Sequence, residues 1–228
     1  MIGIIGAMAS EVDGIKAMMK NTEVQRISSI DFYAGELCGK KIVVAEAGVG
    51  KVNASVTAQT MILKYGTDSI INIGVAGGLD PSLEIGDAVI ADKVAEHDMD
   101  TTPLGDEPGY ITGLNRVYMD CDPELTSVLV DCAEELGIHT VRGVIVSGDQ
   151  FICTNEQRTH IIEVFGAAAA EMEGASIGHV CTMNGVKFCV LRTISDGANS
   201  ESTMTFKEFE KMAAENSIKI VCRMLEKI

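Results

Sequence analysis

Two groups of polar residues in the C-terminal third of the chain could form one ligand site. Glu171 and Glu173 flank Met172 directly after a run of small residues. Three more polar residues follow the apolar run at 188–191, namely Arg192, Ser195 and Asp196. Burying a carboxylate costs free energy unless the charge is paired, and open α/β sheets bind ligands beyond the carboxyl ends of their strands. We therefore predict a site for a neutral, hydroxyl-rich or cationic ligand at these strand ends.

Glycine-rich turns follow two other apolar runs. The G-V-G-K turn at 48–51 is not a Walker A loop, because Val52 stands where that motif needs serine or threonine. A tight strand-to-helix turn explains this segment better. The G-V-A-G-G turn at 74–78 lacks the dinucleotide pattern G-x-G-x-x-G. Its residues Ala76 and Gly77 are nevertheless small enough for a ligand to approach the backbone, and both interpretations of this turn stay open.

Each of these polar residues also has an explanation that involves no ligand. Glu11 follows the first apolar run and would favour a helix N-terminus electrostatically. Met8 would be an ordinary core residue, and Asp196 before a glycine could be a turn residue. The two glutamates could pair with Arg192 at the surface. The combined pattern favours a site, because four glycine-marked strand ends each carry a polar group beside small residues.

Alternating strand and helix patterns supply the elements that would position these residues. Strands are predicted at 2–6, 24–30, 31–37, 41–47, 69–74, 87–94, 140–146 and 188–194. Helices are predicted from an N-cap at Ser10, and at 52–65, 124–136, 156–165, 175–183 and 205–227. This alternation is typical of the α/β class, with a largely parallel or mixed sheet between two helix layers. Without a repeat or a linker, residues 1–228 are expected to form a single domain.

A long irregular stretch at 98–120 interrupts the alternation. It contains Pro103, Pro108 and several glycines. Loops of this length in a compact domain are usually functional or covered by a partner. We predict that this loop lies at a dimer interface.

Composition and charge argue against several classes of protein. The formal net charge of −15 argues against nucleic acid or an anionic membrane as partner, because both require clustered Lys and Arg. Seven cysteines without a C-x-x-C pair are expected to be reduced thiols of a cytoplasmic protein. The four histidines show no paired metal-ligand spacing, so we expect no metal and no cofactor. The N-terminus lacks a basic segment, and no apolar run reaches about 18 residues.

The order and spacing of several short motifs resemble those of a known family. They are I-G-I-I-G-A-M-x-x-E-V at the start, then G-V-G-K-V-N-A, A-G-G-L, V-S-G-D-x-F-I, E-M-E-G-A-S-I, R-x-I-S-D and M-T-F-K-E-F. Together they resemble the bacterial 5′-methylthioadenosine/S-adenosylhomocysteine nucleosidases. The resemblance implies the nucleoside phosphorylase fold, a three-layer α/β/α domain with a central mixed sheet. It also implies a homodimer that hydrolyses the N-glycosidic bond to adenine and a 5-thioribose product.

The resemblance also implies roles for individual residues. Glu11 would be the base that activates water, with Arg192 nearby, and Asp196 would hydrogen-bond adenine near N7 as the general acid. Phe151 would stack on the base while the backbone of Ile152 reads its edge. The remaining predicted binding residues would contact the ribose, line the path to the 5′-thioalkyl group or complete the pocket: Met172, Glu173, Met8, Val49, Phe206, Ala76, Gly77 and Ser195.

The expected chemistry suits these residue types. Breaking a ribosyl C–N bond builds an oxocarbenium-like sugar, which a carboxylate stabilises in glycosidases, and it builds negative charge on the leaving purine. A carboxyl group held neutral can protonate that purine. We therefore expect Glu11 to be ionised and to face water, and Asp196 to lie in a drier environment.

Some positions depart from the family pattern. Ala9 and Ser10 stand where two further acids are common, and Val75 replaces a serine that helps to hold the water. In the 98–120 loop, Thr101 and Leu104 replace more apolar or aromatic residues.

Three other functions stay open at this stage. A phosphorylase would use phosphate instead of water, but Asn72 stands where the related phosphorylases carry a phosphate-binding arginine, and a phosphate needs cationic anchors. Aminodeoxyfutalosine is another possible substrate, and a nucleoside sensor without catalysis is the third alternative.

Overall fold

The computed structural model of the chain describes residues 1–196 and 206–228, without the side chains of 196 and 206–211. The strands are β1 Ile2–Gly6, β2 Lys20–Ile27, β3 Ile30–Leu37, β4 Lys40–Glu46, β5 Ser69–Gly78, β6 Ala88–Glu96, β7 Tyr118–Asp120, β8 Thr140–Ser147, β9 Ala167–Glu171 and β10 Lys187–Asp196. The helices are α1 Ala9–Met18, α2 Lys51–Tyr65, α3 Pro123–Glu135, α4 Asn155–Phe165, α5 Gly174–Asn184 and α6 Phe206–Lys227.

The strands form one mixed sheet that closes on itself at one end. Its order is β10-β6-β8-β9-β5-β1-β4-β3-β2, and β10 also pairs in parallel with β5. The strands β5, β10, β6, β8 and β9 therefore form a closed ring, from which β1, β4, β3 and β2 extend. The carboxyl ends of the parallel strands β1, β5 and β10 meet at one edge, where the predicted site residues are.

Apolar side chains leave both faces of the sheet and pack under two helix layers. Neighbouring residues in the sequence, such as Ile70 and Ile71, belong to different clusters because successive strand residues point to opposite faces. One cluster lies under α2 and α5, and the other lies under α1, α3 and α6. The expected three-layer α/β/α fold with a central mixed sheet is confirmed.

Several local predictions differ from the structure. Helix α1 begins at Ala9 with Met8 as its N-cap, so the prediction of a Ser10 N-cap is wrong. The Glu11 carboxylate accepts the Met8 N–H, and this bond fixes the start of the helix two residues earlier in the chain. The sequence analysis did not predict β9, whose alanines favour helix intrinsically but are buried as a strand between β8 and β5.

The stretch at 98–120 is less irregular than expected. It contains a short 3-10 helix at Thr102–Leu104 and the edge strand β7, which pairs with β6. In the part of the chain that the structure describes, no helix has the length and hydropathy needed to cross a membrane.

Candidate active site

A cavity of about 250 Å³ opens at the edge where β1, β5, β9 and β10 end. Ten of the predicted site residues line it: Met8, Glu11, Val49, Ala76, Gly77, Phe151, Ile152, Met172, Glu173 and Ser195. The structure therefore brings together residues that are separated by as much as four fifths of the chain, from Met8 to Ser195. The side chains of Asp196 and Phe206 lie outside the described residues. The backbone of Asp196 ends β10 opposite Gly77, which lines the cavity.

Glu11 lies at the inner end of the cavity and is only 2% exposed. Its carboxylate accepts backbone N–H groups from Ala7 at 2.6 Å, Met8 at 3.0 Å and Val75 at 3.1 Å. Burial raises the pKa of Glu11, although the positive charge of Arg192 and these hydrogen bonds counteract the rise. The sequence analysis expected Glu11 to be ionised and to face water. In the structure its carboxylate is instead buried, and its pKa is raised.

Gly74 makes room for the groups at this inner end. A Cβ at Gly74 would overlap the Arg192 guanidinium and would lie 2.6 Å from Glu11 Oε1. Glycine is therefore required at position 74 for the close approach of these two side chains.

Arg192 is almost fully buried and is held by two other polar residues. Its Nη2 donates to Asn72 Oδ1 at 2.6 Å and to Glu171 Oε2. Asn72 is itself buried and donates to the Ile5 carbonyl of β1 at 2.9 Å. The guanidinium is therefore fixed relative to β1 and β5, next to the Glu11 carboxylate.

Glu171 and Glu173 look alike in the sequence but have different surroundings. Glu171 accepts hydrogen bonds from Ser147 Oγ, Arg192 and the backbone N–H groups of Glu173 and Gly174. Burial alone would raise the pKa of Glu171, but Arg192 and these donors hold it below its ordinary value. Glu171 and Arg192 form the ion pair that the sequence analysis considered, but the pair is buried and not at the surface.

Glu173 projects into the cavity. Its Oε1 accepts the Gly50 N–H at 2.9 Å, and its Oε2 lies 3.7 Å from Arg192 Nη2. Burial and the neighbouring Glu171 charge raise the pKa of Glu173 to about 7. This carboxyl group can therefore either accept or donate a hydrogen bond near neutral pH.

The sequence analysis missed some residues of the site. Ser147, Gly50 and Asn72 contribute through hydrogen bonds to the acids and to Arg192. Gly50 and Glu173 are 123 residues apart, so no local pattern could have linked them. Leu79 and Arg158 also line the cavity. Among the described residues, no cluster of three or more His, Cys, Asp or Glu side chains could hold a metal ion.

Fold and site together define an α/β protein with a buried acidic cleft at its strand ends. The family model of the phosphorylase superfamily matches residues 1–226. The chain belongs to the phosphorylase superfamily and, within it, to the 5′-methylthioadenosine/S-adenosylhomocysteine nucleosidase family, which confirms the expected relationship.

Individual relatives cover almost the whole chain. The 5′-methylthioadenosine/S-adenosylhomocysteine nucleosidase of Shewanella oneidensis is 41% identical over 100% of this chain and 97% of its own length. The structure of the Neisseria meningitidis nucleosidase in complex with methylthio-immucillin-A has a TM-score of 0.94 at 35% identity and covers 100% and 99% of the two chains. A futalosine hydrolase structure from Helicobacter pylori has a TM-score of 0.93 at 34% identity and covers 100% and 97%.

Proposed function

We propose that the chain hydrolyses the N-glycosidic bond of 5′-methylthioadenosine and S-adenosylhomocysteine, releasing adenine and the 5-thioribose product. The observation that carries this proposal is the placement of Glu11. Its carboxylate occupies a cradle of three backbone N–H groups beside Arg192, at the inner end of a cavity that also holds Glu173. The family relationship supports the same reaction.

In this proposal Glu11 is the general base that takes a proton from the attacking water. A general base works best when its pKa lies near the working pH, and burial moves the pKa of Glu11 in that direction. The three N–H groups fix the carboxylate without neutralising it. Val75 supplies its backbone N–H to Glu11, so the water would be oriented by Glu11 without the serine hydroxyl that is usual at that position.

Asp196 would donate the proton to the leaving adenine. Its backbone pairs with Gly77 at the end of β10, next to Ser195 in the cavity lining. Glu173 and Met172 would hold the ribose hydroxyls, since a carboxyl group with a pKa of about 7 can pair with a hydroxyl in either protonation state.

The other lining residues would contact the base and the 5′ group. Phe151 is 64% exposed at the cavity mouth, where its ring is available to stack on adenine. The backbone of Ile152 would read the edge of the base. Met8 and Val49, together with Phe206, would line the path of the thioalkyl group, whose apolar sulfur chain suits methionine and valine.

The geometry favours water over phosphate as the nucleophile. The backbone N–H groups and the guanidinium that could cradle a phosphate are already engaged by the Glu11 carboxylate, Asn72 and Glu171. A phosphate placed there would meet two buried carboxylates, and like charges in a buried site repel strongly. Phosphorolysis is therefore disfavoured by the same contacts that position the base.

We further propose that the protein is a cytoplasmic homodimer of single-domain chains, with the 98–120 loop at the interface. Exposed apolar residues support this surface: Val52, Val56 and Leu63 share one face of α2, and Leu104 in the loop is 83% exposed. Several exposed apolar side chains on one helix face are typical of an interface. Sedimentation should show a dimer, and a fully active monomer would contradict this assignment.

Aminodeoxyfutalosine is a second candidate substrate, favoured by the similarity to the Helicobacter pylori futalosine hydrolase. The test is adenine release from 5′-methylthioadenosine, S-adenosylhomocysteine and aminodeoxyfutalosine at equal concentrations. We expect the first two to be cleaved with the higher kcat/KM. Ligand-dependent stabilisation of the fold without release of adenine from any of the three would instead identify a sensor.

A further inference from the structure

Lys51 lies beside the cavity rather than in its lining and connects segments that border it. Its Nζ lies 2.6 Å from Asp98 Oδ1 and 3.0 Å from Glu96 Oε2. Glu96 Oε1 in turn lies 2.9 Å from His179 Nδ1 on α5. One largely buried ammonium group therefore joins the end of β6, the start of the 98–120 loop and the first turn of α2.

The backbone of the same turn is held between two carboxylates. Lys51 N–H donates to Asp149 Oδ1 at 2.8 Å, and Asp149 N–H donates to Asp98 Oδ2 at 2.9 Å. On the other side, Gly50 N–H donates to Glu173 Oε1 at 2.9 Å. Gly50 has a φ of 101°, and a Cβ there would lie 3.0 Å from Asp149 Oδ1. Only glycine lets the turn fit between Asp149 and Glu173.

We infer that Lys51 is a positioning residue. Through Asp98, it fixes Glu173 and the 149–152 segment relative to each other. The Asp98 carboxylate binds Lys51 with one oxygen and the Asp149 N–H with the other. The turn that holds the ribose-binding carboxylate is thereby tied to the segment that carries Phe151. This inference rests on the proposed function, in which Glu173 binds the ribose hydroxyls and Phe151 stacks on the base.

The charge of Lys51 is what this arrangement requires. Burial alone would lower the pKa of Lys51, but hydrogen bonds to Asp98 and Glu96 hold it above its ordinary value, so the side chain is charged near neutral pH. Removing the ammonium would leave the carboxylates of Glu96 and Asp98 without their shared cation, with Asp149 close by. Their repulsion would move the loop and the turn apart, and Glu173 would lose its fixed position.

The test compares Lys51→Met with the wild type on 5′-methylthioadenosine and on its 3′-deoxy analogue. Methionine keeps the apolar stem and removes the charge. Because misplacement of a positioned group by about 1 Å can cost roughly 100-fold, we expect kcat/KM for the parent nucleoside to fall by about that factor, mainly through KM. The preference, which is the ratio of kcat/KM for the parent nucleoside to kcat/KM for the 3′-deoxy analogue, should fall about tenfold. Part of the lost binding is the hydrogen bond between Glu173 and the missing 3′-hydroxyl group.

Lys187→Met is the matched control. Lys187 also bridges two carboxylates, Asp122 at 3.1 Å and Glu124 at 3.0 Å, but it begins β10 at the end opposite to Asp196. The Lys187→Met variant should leave kcat/KM for both nucleosides, and the ratio of the two values, unchanged. Lys51→Arg, which keeps the charge, should recover most of the preference for the parent nucleoside.

A second variant covers the case in which Lys51→Met does not fold. Asp98→Asn removes the shared carboxylate charge without changing its size, and the same fall in preference is expected. An unchanged preference in every folded variant at these two positions would overturn the inference, whatever the loss in total rate. If the wild type released no adenine, the proposed function would fail instead. The ratio of Kd values for the two nucleosides would then decide the role of Lys51.

Discussion

The inner and outer ends of the cavity differ in how firmly their side chains are held. At the inner end, Glu11, Glu171 and Arg192 are between 1% and 7% exposed, and each is fixed by several hydrogen bonds or by the ion pair. At the outer end, Val49 and Phe151 are 50% and 64% exposed. The proposed base Glu11 and its neighbour Arg192 are therefore preorganised within one chain, whereas Val49 and Phe151, which are proposed to contact the substrate, remain open.

This difference predicts different consequences for substitutions at the two ends. Preorganised charges and dipoles lower the barrier because they need no rearrangement during the reaction. Changes at the inner end should therefore reduce turnover or the free energy of unfolding. Changes at the outer end should reduce substrate affinity and leave the fold intact.

The largest effect on turnover is expected from substitution of the two proposed catalytic carboxyl groups, those of Glu11 and Asp196. Glu11→Gln and Asp196→Asn each keep the size of the side chain but remove the proton-transfer group, so kcat should fall by about 10²–10⁴-fold. Steady-state kinetics measures the loss, and circular dichroism should show an unchanged fold. Turnover at the wild-type rate in either variant would remove that residue from the mechanism.

Loss of the buried ion pair should give the largest change in stability. Glu171→Ala leaves the Arg192 guanidinium buried without its main partner, and such a change typically costs about 3–5 kcal/mol of unfolding free energy. Urea denaturation measures this cost. Glu135→Ala is the control, because its pair with Arg223 is 46% exposed on both sides, and exposed pairs contribute little to stability. Equal losses in the two variants would contradict the assigned importance of the inner end.

The pH dependence of stability tests the surroundings of Glu173. Its pKa of about 7 in the folded chain lies above the ordinary glutamate value of 4.5. Between these two pH values the folded protein binds a proton that the unfolded chain has released, so this residue makes stability fall as pH rises through that range. Glu173→Gln should remove this decline. Unfolding free energies of both proteins at several pH values should therefore show the variant gaining stability relative to the wild type toward neutral pH, and parallel curves would refute the assignment.

The smallest effect on activity is expected from substitutions at the outer end of the cavity. Phe151→Ala removes a stacking surface, which is worth about 1–3 kcal/mol per base, so KM should rise about 5- to 150-fold with little change in kcat. The melting temperature should not change, because the ring is 64% exposed. A marked loss of stability would mean that Phe151 is structural.

The sequence predicted the elements and the location of the site better than it predicted the contacts within it. Apolar runs predicted most of the strands. Glycines and polar residues at the ends of those runs indicated the edge of the sheet at which the cavity opens. The alanines of β9 were missed because tertiary burial overrides their helical preference. The contacts of Gly50 with Glu173 and of Asn72 with Arg192 join segments more than 100 residues apart, which no local periodicity records.

The sequence pattern alone also could not separate Glu171 from Glu173, and only the family resemblance assigned the sugar to Glu173. The two residues flank Met172 and have the same side chain, so composition and spacing do not distinguish them. Their difference comes from distant partners: Ser147 and Arg192 bind Glu171, whereas Gly50 binds Glu173.

The central claim is that the Glu11 carboxylate fills the position that a nucleophilic phosphate would need, so that water attacks the sugar. The most direct test is the mass of the sugar product formed from 5′-methylthioadenosine with and without saturating phosphate. We predict free 5-methylthioribose at the same rate in both cases. A requirement for phosphate, or a sugar 1-phosphate as the product, would contradict the claim.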